Sequence, residues 1–245
     1  MLLLIFLAGL WAGTQNALAG GGSFITLPML ILAGLNPLAA NMTSTIALFP
    51  GQVTTGLANR KLVSGTRHLP FSALLIISLI GGAMGGLLLL KTPADFFARI
   101  VPLLVLFATL LFAWSGFVRK PTEEKLHLGP IGSLLAQFAT AIYGGYFGGG
   151  IGFLMLAALS MAGMPTRAAG ATKNVLASVM NASAVAIFAF SPAVHWHAAG
   201  ILCVGAIAGG FLGARLLHRI NEKILRVIVV IIGLALTIGL FLRPV

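Results

Sequence analysis

The sequence predicts an all-α integral membrane protein of two inverted-topology repeats, each a glycine-broken helix pair plus three transmembrane helices. Three observations predict it. The chain is 59% hydrophobic and 8% charged, whereas a soluble domain carries about a quarter charged residues. Residues 20–45 and 149–174 agree at 10 of 26 positions without a gap, an offset of 129. Lys and Arg gather in alternate links between the apolar runs, as they do in cytoplasmic loops. Nothing alternates polar and apolar residues in short strands, which argues against a membrane β-barrel.

The first apolar segment is 2–18. No Lys or Arg precedes it, as a secretory signal would require, so it is expected to remain as a helix. A glycine break at 20–22 follows, then a short segment, 23–34. At 12 residues it is about 18 Å long, against a hydrocarbon core of about 30 Å. The break is therefore expected deep in the membrane, where irregular backbone survives only inside protein or beside a wet cavity. Full spans are expected at 37–57, 69–90 and 97–117. The second half repeats the order: 130–147, a break at 148–152, the half-helix 153–163, then 166–190, 197–217 and 223–242. The organisation is a first repeat at 1–118, a cytoplasmic linker at 119–127 and a second repeat at 128–245.

Charge sets the expected orientation. The 57–69 link holds Arg60, Lys61 and Arg67; its counterpart 190–197 holds no Lys or Arg. The links 117–128 and 214–226 are also basic. The positive-inside rule puts these three links in the cytoplasm and both termini outside. Equivalent links of the two halves then face opposite sides, so the repeats are inverted. The formal charge of +11 is accounted for by these links, and no nucleic-acid partner is expected.

Several chemistries lack their residues. The four acids, Asp95, Glu123, Glu124 and Glu222, all fall in expected loops, whereas cation-coupled carriers keep a carboxylate within the membrane. The five histidines sit at segment ends with no metal-ligand spacing, and Cys203 is the one cysteine. No P-loop and no nucleophile elbow occurs. The chain is not expected to be an enzyme or to carry a metal or cofactor.

What remains polar inside the membrane clusters near the breaks. Lys173 lies about 10 Å into its span, beside Asn174, with Asn181 two turns on; the same offsets in the first half give Ser44, Thr45 and Gln52, beside Asn41 and Thr43. A half-helix that starts in mid-membrane presents free N–H groups and the positive end of its dipole, which bind anions without charged side chains. Two such ends facing each other, with Lys173 between them, make an anion site. The expected binding residues are Gly20, Gly21, Gly22, Ser23, Asn41, Thr43 and Ser44 in the first half. In the second they are Gly149, Gly150, Gly152, Thr172, Lys173 and Asn174. The glycine pairs at 81–82 and 85–86, and Gly205, Gly209 and Gly213, are expected to serve helix packing.

The paired glycine breaks and the motifs Gly34-Leu-Asn-Pro-Leu-Ala-Ala-Asn-Met-Thr-Ser and Gly163-Met-Pro-Thr-Arg-Ala-Ala-Gly-Ala-Thr-Lys carry a resemblance. Across the whole chain the sequence resembles the sulfite exporter TauE/SafE family, also called the toluene sulfonate uptake permease family. Asn41 and Lys173 depart from the Gly/Ala and Ser more common in its motifs. The resemblance implies a multi-pass permease of the plasma (inner) membrane for sulfite, organosulfonates or related sulfur-containing anions. It places Gly20, Gly21, Thr43, Gly149, Gly150 and Thr172 on the family's motif positions.

The expected function is thus a secondary transporter for a small anion. An anion channel or facilitator, and a permease subunit of a larger complex, are the alternatives. Expected partners are the small anionic substrate, the lipid bilayer and, in a homodimer, a second copy of the chain.

Overall fold

The computed structural model describes residues 1–18, 21–58, 60–117, 128–216 and 222–242. Among them there are ten α-helices and no strand: α1 (Leu2–Leu18), α2 (Ser23–Leu32), α3 (Pro37–Ala58), α4 (Phe71–Lys91), α5 (Ala94–Phe117), α6 (Pro130–Tyr146), α7 (Ile151–Met161), α8 (Thr166–Phe188), α9 (Trp196–Leu216) and α10 (Glu222–Leu242). The linker 119–127 and Gly20 lie outside the described residues. The fold class is the expected one, all-α, with the two short helices where the glycine breaks predict them.

Local chemistry sets the ends. Asn36 caps α3: its Oδ1 accepts the Ala39 amide at 2.8 Å, and Pro37 supplies a preset first turn. The half-helices α2 and α7 stop at matched glycines. Gly34 and Gly163 have φ of +97° and +84°, and the residue after each donates back five positions, Leu35 to Leu30 and Met164 to Leu159, both at 3.1 Å. This is the Schellman end, in which glycine takes the left-handed position at no steric cost. It ends α2 at Leu32, two residues before the apolar run does. The largest departure is α5, expected from 97 and starting at Ala94. Asp95 in its first turn interrupts the apolar pattern yet suits the positive end of the helix.

At 10 and 11 residues, α2 and α7 are about 15 and 16 Å long, half the thickness of a hydrocarbon core. α6 and α7 form a hairpin that returns to its starting end, where the Leu128 amide donates to the Met161 carbonyl at 2.9 Å.

The helices pack in pairs that repeat between the halves. α1 packs on α9 and α6 on α4; α9 packs on α3 and α4 on α8; α2 lies between α1 and α3 as α7 lies between α6 and α8. Two contacts join equivalent helices, α3 with α8 and α5 with α10. Residue registers give directions. Gly9 meets Leu202 and Thr14 bonds Gly209, so α1 and α9 are parallel. Gln137 bonds Ser78 and Gly145 meets Gly82, so α4 and α6 are parallel. Gly82 meets Met180 and Gly86 meets Ala184, so α4 and α8 are parallel. Gly56 meets Asn174 while Gln52 bonds Ser178 and Asn181, so α3 and α8 are antiparallel.

Polarity runs inside out relative to a water-soluble protein. On α4, Ser78, Gly81, Gly82, Gly85 and Gly86 are buried while Ile76, Leu79, Ile80, Leu87 and Leu88 face outward. Water would make that surface unfavourable; hydrocarbon does not. Both Phe71–Lys91 and Ala94–Leu111 are long and apolar enough to cross a membrane. The glycines do the packing expected of them: a methyl group at Gly209 would stand 1.9 Å from the Leu10 carbonyl oxygen, and one at Gly85 would stand 2.1 Å from that of Ile142. Small residues at these points let the backbones touch.

Candidate functional site

Between α2, α3, α7 and α8 lies a cavity of about 120 Å³. Its walls follow the duplication. α3 contributes Ser44, Thr45, Leu48 and Gln52, and α8 contributes their partners 129 positions on, Lys173, Asn174, Ala177 and Asn181. The spacing of each set follows the helical period, so one face of each helix looks inward. The first turns of both half-helices complete the wall: Gly21, Gly22 and Ser23 from α2, Gly150, Ile151, Gly152 and Phe153 from α7. Gly21 and Gly150, again 129 apart, both hold positive φ, +84° and +72°. Glycine permits that conformation, and it turns each chain into its half-helix.

Eight expected site residues meet here: Gly21, Gly22, Ser23, Ser44, Gly150, Gly152, Lys173 and Asn174. Four others stand outside the wall and hold backbone. The Asn41 amide donates to the Tyr146 carbonyl at 3.1 Å. Gly149 gives its carbonyl to the Tyr143 hydroxyl at 2.9 Å. Thr43 Oγ1 accepts the His195 amide at 3.1 Å, and Thr172 Oγ1 accepts the Ser64 amide at 3.1 Å. The two threonines are duplicates, and each ties its helix to the loop of the other half. Gly20 lies outside the described residues.

The wall also includes residues beyond the expected set: Asn16, Gly51, Thr55 and Phe147, with Thr45, Gln52 and Asn181. Asn16 Oδ1 accepts the Gly22 amide at 2.7 Å. The signal for it was the polar run Thr14-Gln15-Asn16 at the end of an otherwise apolar helix. Gly51 and Thr55 continue the inward face of α3 at helical spacing from Ser44 and Leu48.

The amino group of Lys173 is 5.9 Å from the centre of the Phe153 ring, within the range of a cation–π contact. A methyl group at Gly152 would be 3.4 Å from it, so it stands at the first turn of α7. Among the described residues it has no ion pair and no hydrogen bond. Within the cavity wall, the Asn181 amide donates to Gln52 Oε1 at 2.6 Å. Cys203 sits partly buried on α9, and among the described residues no three His, Cys, Asp or Glu side chains converge. The arrangement offers two helix N-termini, one basic side chain, amides and hydroxyls, a set suited to holding an oxyanion.

The chain is similar over nearly its whole length to sequences named as probable membrane transporters. It is 30% identical over 247 residues to "Probable membrane transporter protein ORF9" of a Sinorhizobium species, covering 100% of this chain and 94% of that one. It is 28% identical over 240 residues to a "Probable membrane transporter protein" of Haemophilus influenzae, covering 97% and 93%. It is 28% identical over 232 residues to "Probable membrane transporter protein YfcA" of Escherichia coli K12, covering 94% and 85%. No solved structure matches it. The family profile described as "Sulfite exporter TauE/SafE" matches residues 5–240. With a cavity built from its duplicated motifs, and a family match across nearly every residue, the chain belongs to the sulfite exporter TauE/SafE family of membrane transporters.

Proposed function

We propose that this transporter carries a small anion, sulfite or a small organosulfonate, across the plasma membrane by alternating access. The observation that carries the reading is the meeting of two half-helix N-termini and the Lys173 amino group in one cavity, with no described carboxylate paired to that lysine. Each N-terminus acts as about half a positive charge, and Lys173 adds a whole one. An anion is the counter-charge this site lacks. The family name points to sulfite within that class.

The anion rests against the first turns of α2 and α7, with Ser23, Ser44 and Asn174 as neutral hydrogen-bonding groups and Lys173 as the charged one. Asn41, Thr43, Gly149 and Thr172 act at one remove, by holding the backbone around the breaks.

The two halves are inverted repeats that rock against each other. Antiparallel α3 and α8, with parallel α1/α9, α4/α6 and α4/α8, are the directions that this topology requires. The basic 57–69 link faces the cytoplasm and both termini face outward, on the positive-inside rule.

Reconstitution into proteoliposomes tests the proposal. Sulfite uptake that saturates and shows counterflow is the expected result. Movement of cations without any anion would remove the reading, and a non-saturating anion flux would replace the carrier with a channel.

A further inference from the structure

We infer that the cavity loads from one end only, past Gly51 and Thr55 of α3, and that its second portal is the equivalent pair Met180 and Ala184 of α8, closed in this structure. This rests on the binding site proposed above and adds its route of access.

The duplication supplies the ruler. Ser44, Thr45, Leu48 and Gln52 line the cavity, and so do all four counterparts on α8. The match then stops. Gly51 and Thr55 also line it and are partly exposed. Their counterparts 129 positions on, Met180 and Ala184, do not line it and are both 0% exposed. One matched pair of wall residues leans the same way. Lys173 is partly exposed and Ser44 is 2% exposed. Because α3 and α8 are antiparallel, Lys173 and Thr55 belong to the same end. Thr55 against Ala184 and Lys173 against Ser44 therefore open the cavity toward the C-terminal end of α3, while Gln52 and Asn181, bonded to each other, share one depth.

The closed end has a visible cause. Met180 and Ala184 press on Gly82 and Gly86 of α4, where added methyl groups would meet the Met180 carbonyl at 2.4 Å and Ala184 Cα at 3.2 Å. The open end differs in charge. Arg60, Lys61, Arg67 and Arg167 are all exposed there, against Lys91 and Arg99 beside Asp95 at the far end of α4. Cations of one sign around a cleft raise the local concentration of anions. In an inverted duplication each end is a template for the other. Closure at the loading end buries Gly51 and Thr55 against α9, and opening of the far end frees Met180 and Ala184 from α4.

Single cysteines introduced into a Cys203→Ser background test this, with a membrane-impermeant maleimide applied to sealed vesicles of either orientation. Thr55→Cys is expected to label from the face that bears Arg60, and sulfite is expected to slow it. Ala184→Cys is expected to label at rest about tenfold more slowly, a ratio equal to about 1.4 kcal/mol for opening the far end. During sulfite turnover it is expected to label from the opposite face. Equal resting rates, labelling of both sites from one face, or an Ala184→Cys site silent during turnover overturns the inference. If either variant fails to reach the membrane, Gly51→Cys and Met180→Cys make the same comparison. Asymmetric labelling without sulfite protection or transport would strike out the anion reading and leave the portals standing. Sulfite transport with symmetric labelling would do the reverse.

Discussion

Gln52 and Asn181 occupy the same position in the two repeats, 129 residues apart, and they bond to each other at 2.6 Å. Both side chains line the cavity. Removing Gln52 leaves the buried Asn181 amide without its partner, at about 1–3 kcal/mol. Gln52→Ala and Asn181→Ala are expected each to lower thermal stability in detergent. Combined, they are expected to cost clearly less than the sum, as contacting residues do; full additivity would show that the pair is not coupled.

Lys173 is the sharpest point of difference between the halves, since its counterpart is Ser44. Loss of one charge-assisted contact is worth about 2 kcal/mol, or about thirtyfold in apparent affinity. Lys173→Ala is expected to weaken sulfite transport on that scale while the protein still inserts, and Lys173→Arg is expected to restore part of it. Undiminished uptake by Lys173→Ala would remove the lysine from the site.

The matched helix ends at Gly34 and Gly163 separate backbone strain from crowding. A methyl group at Gly34 meets nothing within 4 Å, and one at Gly163 meets Arg67 Cβ at an unstrained 3.8 Å. Alanine there pays only for the left-handed conformation, about 1–2 kcal/mol. Gly34→Ala and Gly163→Ala are expected to lower the midpoint of thermal unfolding by similar amounts. Widely different losses would break the equivalence of the two caps.

Gly209→Ala brings the opposite problem. Its methyl group would collide with the Leu10 backbone carbonyl, which cannot rotate away. Overpacking of this kind costs about 1–3 kcal/mol, concentrated on the α1–α9 seam. Faster proteolysis or hydrogen exchange in α1 than in α4 is the expected signature.

Thr43 and Thr172 pin the loops at His195 and Ser64 and stand outside the cavity wall. Thr43→Val and Thr172→Val are expected to lose about 1 kcal/mol of stability each and to leave the apparent affinity for sulfite within about twofold, a change under 0.5 kcal/mol. An affinity loss as large as that of Lys173→Ala would return these hydroxyls to direct contact with the anion.

Much of this was legible in the residues. Apolar runs bounded by Pro and Gly gave every helix to within three residues, because composition alone determines which stretches can leave water. The breaks and caps were legible for a stricter reason: positive φ restricts Gly21, Gly34, Gly150 and Gly163 to glycine. The wall of the cavity was half legible. Gly51 and Asn16 were not singled out, since one glycine in a long helix and one amide at the end of an apolar span do not by themselves signal a cavity. Thr43 and Thr172, duplicated and polar, looked like ligand groups; only the fold reveals that each reaches a loop of the other half. Contacts between distant segments leave no periodic trace in a single chain.

The pairing of α1 with α9, and of α6 with α4, bears on how the protein is made. The N-terminal helix leaves the ribosome long before Trp196 is added, and at 5–20 residues per second that delay is on the order of ten seconds. Until then Gly9 and Gly13 present a bare groove to lipid. Neither half can finish folding while the other is still being synthesised, so expressing the two halves as separate genes would require them to find each other within the bilayer before either is stable.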